Sequence, residues 1–153
     1  MKIELVTSEP SLSQVRDIFR EYQSSIGVDL CFQNFEEELS SLPGKYAPPE
    51  GRLYLAFIDG GLAGCIALRP LQENNCEMKR LYVRSQFRGR DLGRSLANKV
   101  IEDARQIGYR KMFLDTMSTM KTAQALYSSL GFREISPYCY NPADGVQYLG
   151  LDL

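Results

Sequence analysis

The chain of 153 residues contains no histidine and no tryptophan. Lack of histidine removes the commonest metal ligand and the usual general base at neutral pH, and with them Ser-His-Asp and Cys-His catalysis. Acid and base work must fall to carboxylates, tyrosines, lysines or water, and no metal is expected. The cysteines at 31, 65, 76 and 139 form no C-x-x-C pair. That pattern suits reduced thiols in a core and not a zinc cage or disulfide framework. Long apolar runs are missing too: "LYLAFI" is far short of the roughly 20 residues that cross a bilayer. With no basic-then-apolar leader at the start, a cytoplasmic protein with no membrane partner is expected. Nor does charge of one sign prevail, since 18 Lys and Arg face 19 Asp and Glu for a formal net charge of −1. Binding of nucleic acid through bulk charge is therefore not expected.

What is present suffices for one core. The length and the 44% of hydrophobic residues fit a single domain over residues 1–153. "KIELV" alternates as a strand. "SLSQVRDIFREYQSSIG" places Leu12, Val15, Ile18, Phe19 and Tyr22 on one helical face, with Ser11 and Gln14 at capping-box spacing and Gly27 as a stop. A second helix is expected over "NFEEELSSL", capped by Asn34 and ended by Pro43. After the loop "GKYAPPEG", two apolar runs flank Asp59-Gly60, a hairpin signal. "CEMKRLYV" reads as the fourth strand and "LGRSLANKVIEDARQIG" as a helix with Leu92, Leu96, Val100, Ile101 and Ala104 inward. "YRKMFLDT" is a strand, "TMKTAQALYSSLGF" a helix, and "REI" and "VQYLGLDL" are closing strands. The helix between the fourth and fifth strands permits a parallel pair, whereas the hairpin demands an antiparallel one. The expected fold is α/β (α+β), with a mixed, mostly antiparallel sheet of about seven strands flanked by about four helices.

The strongest local anomaly is "LYVRSQFRGRDLGRSLANKV". Arg84, Arg88, Arg90 and Arg94 gather where a strand hands over to a helix, with Gly89 and Gly93 among them. Helix N-termini present unpaired N–H groups and a partial positive charge, glycine allows close approach, and arginine adds charge-assisted donors. A phosphorylated ligand would fit, and so would a solvated basic turn. The stretch is neither a Walker A loop nor G-x-G-x-x-G.

"FRGRDLGRSLA", preceded by "EMKRLYV" and followed by "AQALYSSLGF", resembles the GNAT superfamily of acyl-CoA-dependent N-acyltransferases. The signature Q/R-x-x-G-x-G/A is met by Arg88 and Gly93, while Asp91 stands where a glycine is usual. The resemblance implies acetyl-CoA as co-substrate. It places the coenzyme A pyrophosphate on the backbone of Arg88, Gly89, Arg90, Asp91, Leu92, Gly93 and Arg94. The pantetheine arm would then pair along Leu81, Tyr82 and Val83 as an added strand does. Glu77 matches the catalytic glutamate of some members, although a cross-strand pair with Arg69 accounts for it equally. Tyr127 matches the tyrosine that protonates the leaving thiolate, the alternative being a buried aromatic beside Leu126 and Leu130. An asparagine common seven residues earlier is Met120 here.

Asp115 and Thr116 end the fifth strand, where the family's fourth and fifth strands splay, and Asp115 could instead cap the following turn. The acceptor, an amine of a small molecule or peptide, would be walled by Tyr22, Asp29 and Tyr46. The closing strand offers an edge for a homodimer. Two other readings stay open: an acyl-CoA sensor with little turnover, and a phosphate-dependent partner domain without acyl chemistry.

Overall fold

The computed structural model describes residues 1–27 and 34–153. Seven strands, β1 (Lys2–Leu5), β2 (Arg52–Ile58), β3 (Gly61–Pro70), β4 (Cys76–Val83), β5 (Lys111–Met117), β6 (Arg133–Glu134) and β7 (Val146–Asp152), form one sheet in the order β1-β2-β3-β4-β5-β7-β6. All neighbours are antiparallel except β4 and β5, whose connection is the helix α3 (Leu92–Ile107). Helices α1 (Ser11–Ile26) and α2 (Phe35–Ser41) cover one face, and α3 with α4 (Lys121–Ser129) covers the other. The expected mixed sheet is the one observed.

Each helix lies where its apolar stripe requires. Leu12, Val15, Ile18 and Phe19 of α1 pack with Phe35 and Leu39 of α2 on Leu53, Leu55 and Ala67. On the opposite face Leu92, Leu96, Val100 and Ala104 of α3 pack on Ile66, Leu68 and Met112. Strands β2 and β3 are thus buried on both sides, which explains why they read as continuous apolar runs. Between them Asp59 (φ 50°) and Gly60 (φ 80°) both take the left-handed conformation of a two-residue hairpin turn.

Local capping departs from expectation. Ser11 is already helical, and the Ser13 N–H donates to Glu9 Oε2 at 3.2 Å in place of a Ser11–Gln14 box. Asn34 takes φ 56°, makes no side-chain cap and instead accepts the Glu38 N–H on its carbonyl. Cys65 and Cys76 are core residues, but Cys139 is exposed, and Cys31 lies outside the described residues. The closing strand β7 is interior: β5 pairs with its whole length, and β6 takes Leu149 and Gly150 on the other side.

Opposite Ile66, β4 carries an extra residue. Cys65 pairs with Tyr82 and Ala67 with Lys79, so Arg80 and Leu81 face one partner and Arg80 takes φ 62°. Such a bulge re-aims side chains. Arg80 turns into α2, where Glu38 binds it at 3.0 Å and the Phe35 ring lies beneath it. Its carbonyl accepts the Cys65 thiol at 3.2 Å.

Beyond the bulge the strands close up at Gly64, opposite Val83. A Cβ there would lie 2.7 Å from the Tyr82 carbonyl oxygen and 3.3 Å from Leu96. Gly64→Ala should therefore destabilise the fold by about 1–3 kcal/mol through overpacking, measured by urea unfolding. An unchanged midpoint would show that β3 and β4 separate there without cost.

Candidate active site

β4 and β5 pair at only two positions, Cys76 with Met112 and Glu77 with Phe113. Continuing that register sets Met78 and Lys79 abreast of Leu114 and Asp115, yet the strands have parted there and these residues line a cleft. Thr116 and Met117 extend one wall and Arg80 and Leu81 the other. Tyr127 and Met120 enter from α4, Tyr22 from α1, and Asn141 from the segment between β6 and β7.

At one end of the cleft lies the arginine-rich turn. Gly89 (φ 82°) and Asp91 (φ 59°) are left-handed, and the first α3 bond beyond the turn runs from the Ser95 N–H to the Asp91 carbonyl. The N–H groups from Gly89 to Arg94 donate to no partner among the described residues. A Cβ at Gly89 would meet nothing within 4 Å, so the turn is open. Unpaired donors at a helix start are what a pyrophosphate needs. Asp91 does not claim them. Its side chain is 85% exposed, 4.0 Å from Arg94, and makes no cap. Its φ explains the residue type as well, since aspartate tolerates the left-handed region better than most residues.

The arginines divide their work. Arg84 is held by Glu21 (3.1 Å) and the Leu62 carbonyl (3.1 Å), a structural tie between α1 and the sheet. Arg88 reaches the Val83 carbonyl at 3.2 Å, Arg94 donates to Ser129 Oγ at 3.0 Å, and Arg90 is exposed. Leu92 is buried, so only its N–H faces the turn. Leu81, Tyr82 and Val83 are half-buried.

Residues 12–132 match the acetyltransferase (GNAT) family. The chain belongs to that family. An uncharacterised N-acetyltransferase of Schizosaccharomyces pombe is 39% identical over 100% of this chain and 95% of its own. Human N-acetylaspartate synthetase is 37% identical over 58% of this chain and 30% of its own. The PaiA N-acetyltransferase of Thermoplasma acidophilum, solved in complex with coenzyme A, shares the fold with a TM-score of 0.75 over 100% of both chains at 17% identity. The chain is thus a GNAT acetyltransferase, and a solved structure of this fold holds coenzyme A.

Tyr127 lines the cleft of this GNAT fold. It is 7% exposed and edge-on to Phe132 at 5.7 Å. Its hydroxyl has no hydrogen-bond partner among the described residues. Since no fully buried side-chain oxygen or nitrogen there lacks one, the hydroxyl reaches the cleft. Burial pushes its pKa up, so the phenol stays protonated.

Glu77 is 1% exposed and lies outside the cleft lining. Arg69 Nε donates to its Oε1 at 2.6 Å, the Tyr138 hydroxyl to its Oε2 at 2.5 Å, and Lys79 Nζ lies 3.8 Å away. Arg69 is its cross-strand partner, as the alternative had it. Burial first, then Glu77, raises the Tyr138 pKa.

Tyr22 lines the cleft, edge-on to Tyr82 at 6.0 Å, and Asp115 and Thr116 face it. Tyr46 is buried in a separate recess with Lys45 and Arg69, and Asp29 lies outside the described residues. Sequence reasoning missed Lys79, Tyr138 and Asn141. Lys79 was findable, two residues after Glu77 on a strand and hence on its face. Tyr138 and Asn141 carry no such local signal. Met120, where an asparagine was expected, lines the cleft with an apolar side chain.

This geometry predicts that Arg90→Ala and Arg88→Ala each weaken coenzyme A binding about tenfold by titration calorimetry, with affinity falling as salt rises. Unchanged affinity in both variants would assign the anion to the N–H groups alone. Asp91→Gly should shift affinity less than about fivefold, because the carboxylate is exposed. At φ 59° glycine also relieves strain, so the variant should not loosen the free protein as glycine would elsewhere.

Proposed function

We propose that residues 1–153 act as one GNAT domain that moves an acetyl group directly from acetyl-CoA to a primary amine of a small molecule or peptide, in a reducing compartment such as the cytoplasm. The observation carrying this reading is the Tyr127 hydroxyl, unpartnered among the described residues, on a strand separation beside a turn whose six N–H groups from Gly89 to Arg94 donate to no described partner. In this reading the backbone from Gly89 to Arg94 holds the pyrophosphate, with Arg88, Arg90 and Arg94 adding charge. Leu81 to Val83 present the unpaired edge of β4 to the pantetheine arm. Arg88 must release the Val83 carbonyl for that pairing.

Bound acetyl-CoA supplies a thioester carbonyl carbon to which the amine nitrogen bonds as the carbon–sulfur bond breaks. The acceptor ammonium gives up one proton before attack and a second after it. Asp115, on the cleft wall and oriented by Asn141 Nδ2 at 3.0 Å, accepts a proton directly or passes it to water. Tyr127 gives its phenolic proton to the departing thiolate and is reprotonated from solvent. Amide, free thiol and one net proton result. Glu77, with its oxygens engaged by Arg69 and Tyr138, supports the wall beneath Lys79 and takes a proton only through water.

N-acetylaspartate synthetase is named for an acetylated amino acid, which puts amino acids in the acceptor panel beside polyamines and peptides. Turnover should rise with pH as the acceptor amine loses its proton. Tyr127→Phe and Asp115→Asn should each lower kcat by about tenfold to a hundredfold in a thiol-release assay, with coenzyme A affinity retained. Glu77→Gln should cost less catalytically than Asp115→Asn. The opposite ranking would return the base to Glu77, and full turnover in all three would leave positioning alone to carry the rate.

A further inference from the structure

Among the described residues, the charged groups around the cleft differ in how closely they are paired. Glu38 binds Arg80 through two hydrogen bonds. Glu77 is held by Arg69 and Tyr138. Lys79 on one wall has only a long ion pair with Glu77, and Asp115 on the other is met by neutral donors among the described residues.

The Lys79 side chain is 5% exposed, yet its ammonium makes no hydrogen bond among the described residues, and its nearest carboxylate oxygen, on Glu77, is 3.8 Å away. No fully buried nitrogen lacks a partner, so this ammonium touches the cleft that Lys79 lines. Across the opening Asp115 meets only neutral donors among the described residues, Asn141 Nδ2 at 3.0 Å and the Cys139 thiol at 3.9 Å. The two form no direct ion pair, although they hold corresponding positions on β4 and β5. An ammonium so largely buried, with no hydrogen bond from the protein, takes its acceptor from water or from a ligand in the cleft. Burial accordingly lowers the Lys79 pKa, with Glu77 and Asp115 opposing that effect and Arg80 and Arg69 adding to it.

We infer that Lys79 and Asp115 form a two-ended clamp for a zwitterionic acceptor, an amino acid whose carboxylate is bound by Lys79 and whose amino group is held by Asp115. The inference rests on the acetyltransferase reading and narrows its acceptor to amines that carry a nearby carboxylate. A small molecule that carries both charges would bridge the two side chains, which line the same cleft and form no ion pair with each other. Tyr22 and Thr116 line the same cleft and bound the space left for the side chain.

The test compares α-amino acids with their carboxamides, which keep the amine and lose the anion. Binding to the full chain saturated with coenzyme A is followed by titration calorimetry at neutral pH, and turnover by thiol release. At least one acid should bind about tenfold or more tightly than its amide, the effect of a charge-assisted bond in a buried site. Lys79→Met should abolish that preference by raising KM for the acid alone, and Lys79→Arg should restore part of it. Thermal unfolding and coenzyme A affinity of the variants identify any loss of fold. Equal binding of acid and amide, or no binding of either, overturns the clamp. So does a Lys79→Met variant that folds, binds coenzyme A and keeps the preference. Selective binding of an acid without turnover keeps the clamp and refutes the transferase reading instead.

Discussion

Parallel pairing between β4 and β5 stops after two residues, and the cleft exists because it stops. Continued pairing would satisfy the backbone groups of Met78 to Val83 and close the sheet. Where they part, β4 bulges at Arg80 and Leu81 while β5 stays paired along its whole length with β7. The open edge costs unpaired backbone polarity, which a sheet tolerates where a ligand or solvent supplies the missing partners.

The same bulge links the cleft to the helices beyond it. By turning Arg80 toward Glu38 and Phe35, it places a guanidinium between β4 and α2 and lets adjacent Lys79 and Arg80 serve different neighbours. A buried carboxylate or cation is tolerated only when paired or hydrogen-bonded. Glu77, Arg69, Arg80 and Glu38 meet that condition by contact. Lys79 and Asp115, both lining the cleft, meet it most loosely, through a 3.8 Å ion pair to Glu77 and through neutral donors.

At the other end of the cleft backbone matters more than side chains. The free N–H groups from Gly89 to Arg94 follow from a left-handed turn that delays the first α3 hydrogen bond until Ser95. Arginine side chains around it are divided among Glu21, Val83 and Ser129, so the charge that stands out in the sequence is partly structural. Tyr127 is positioned from the far side by α4, whose start is tied to β5 through Gln124 and the Met117 carbonyl at 2.8 Å.

Much of this was legible in the residues because it depends on local periodicity and turn chemistry. The apolar stripes of α1 and α3, the Asp59-Gly60 hairpin and the glycine- and arginine-rich turn before α3 arise from neighbours within one or two turns of chain, and the helix between β4 and β5 allowed their parallel pairing. The expected N-terminal caps of α1 and α2 did not form, because Ser11 is already helical and Asn34 is left-handed, whereas Gly27 and Gly108 end α1 and α3 as read. What only the tertiary structure decided is which charges meet. Arg69 reaches Glu77 across a strand pair, Tyr138 arrives from 61 residues away, and Lys79 and Asp115 come abreast only because two strands far apart in sequence share a register and then separate. Long-range pairing sets those distances, and a carboxylate becomes a buried anchor or a cleft wall according to what the fold brings beside it.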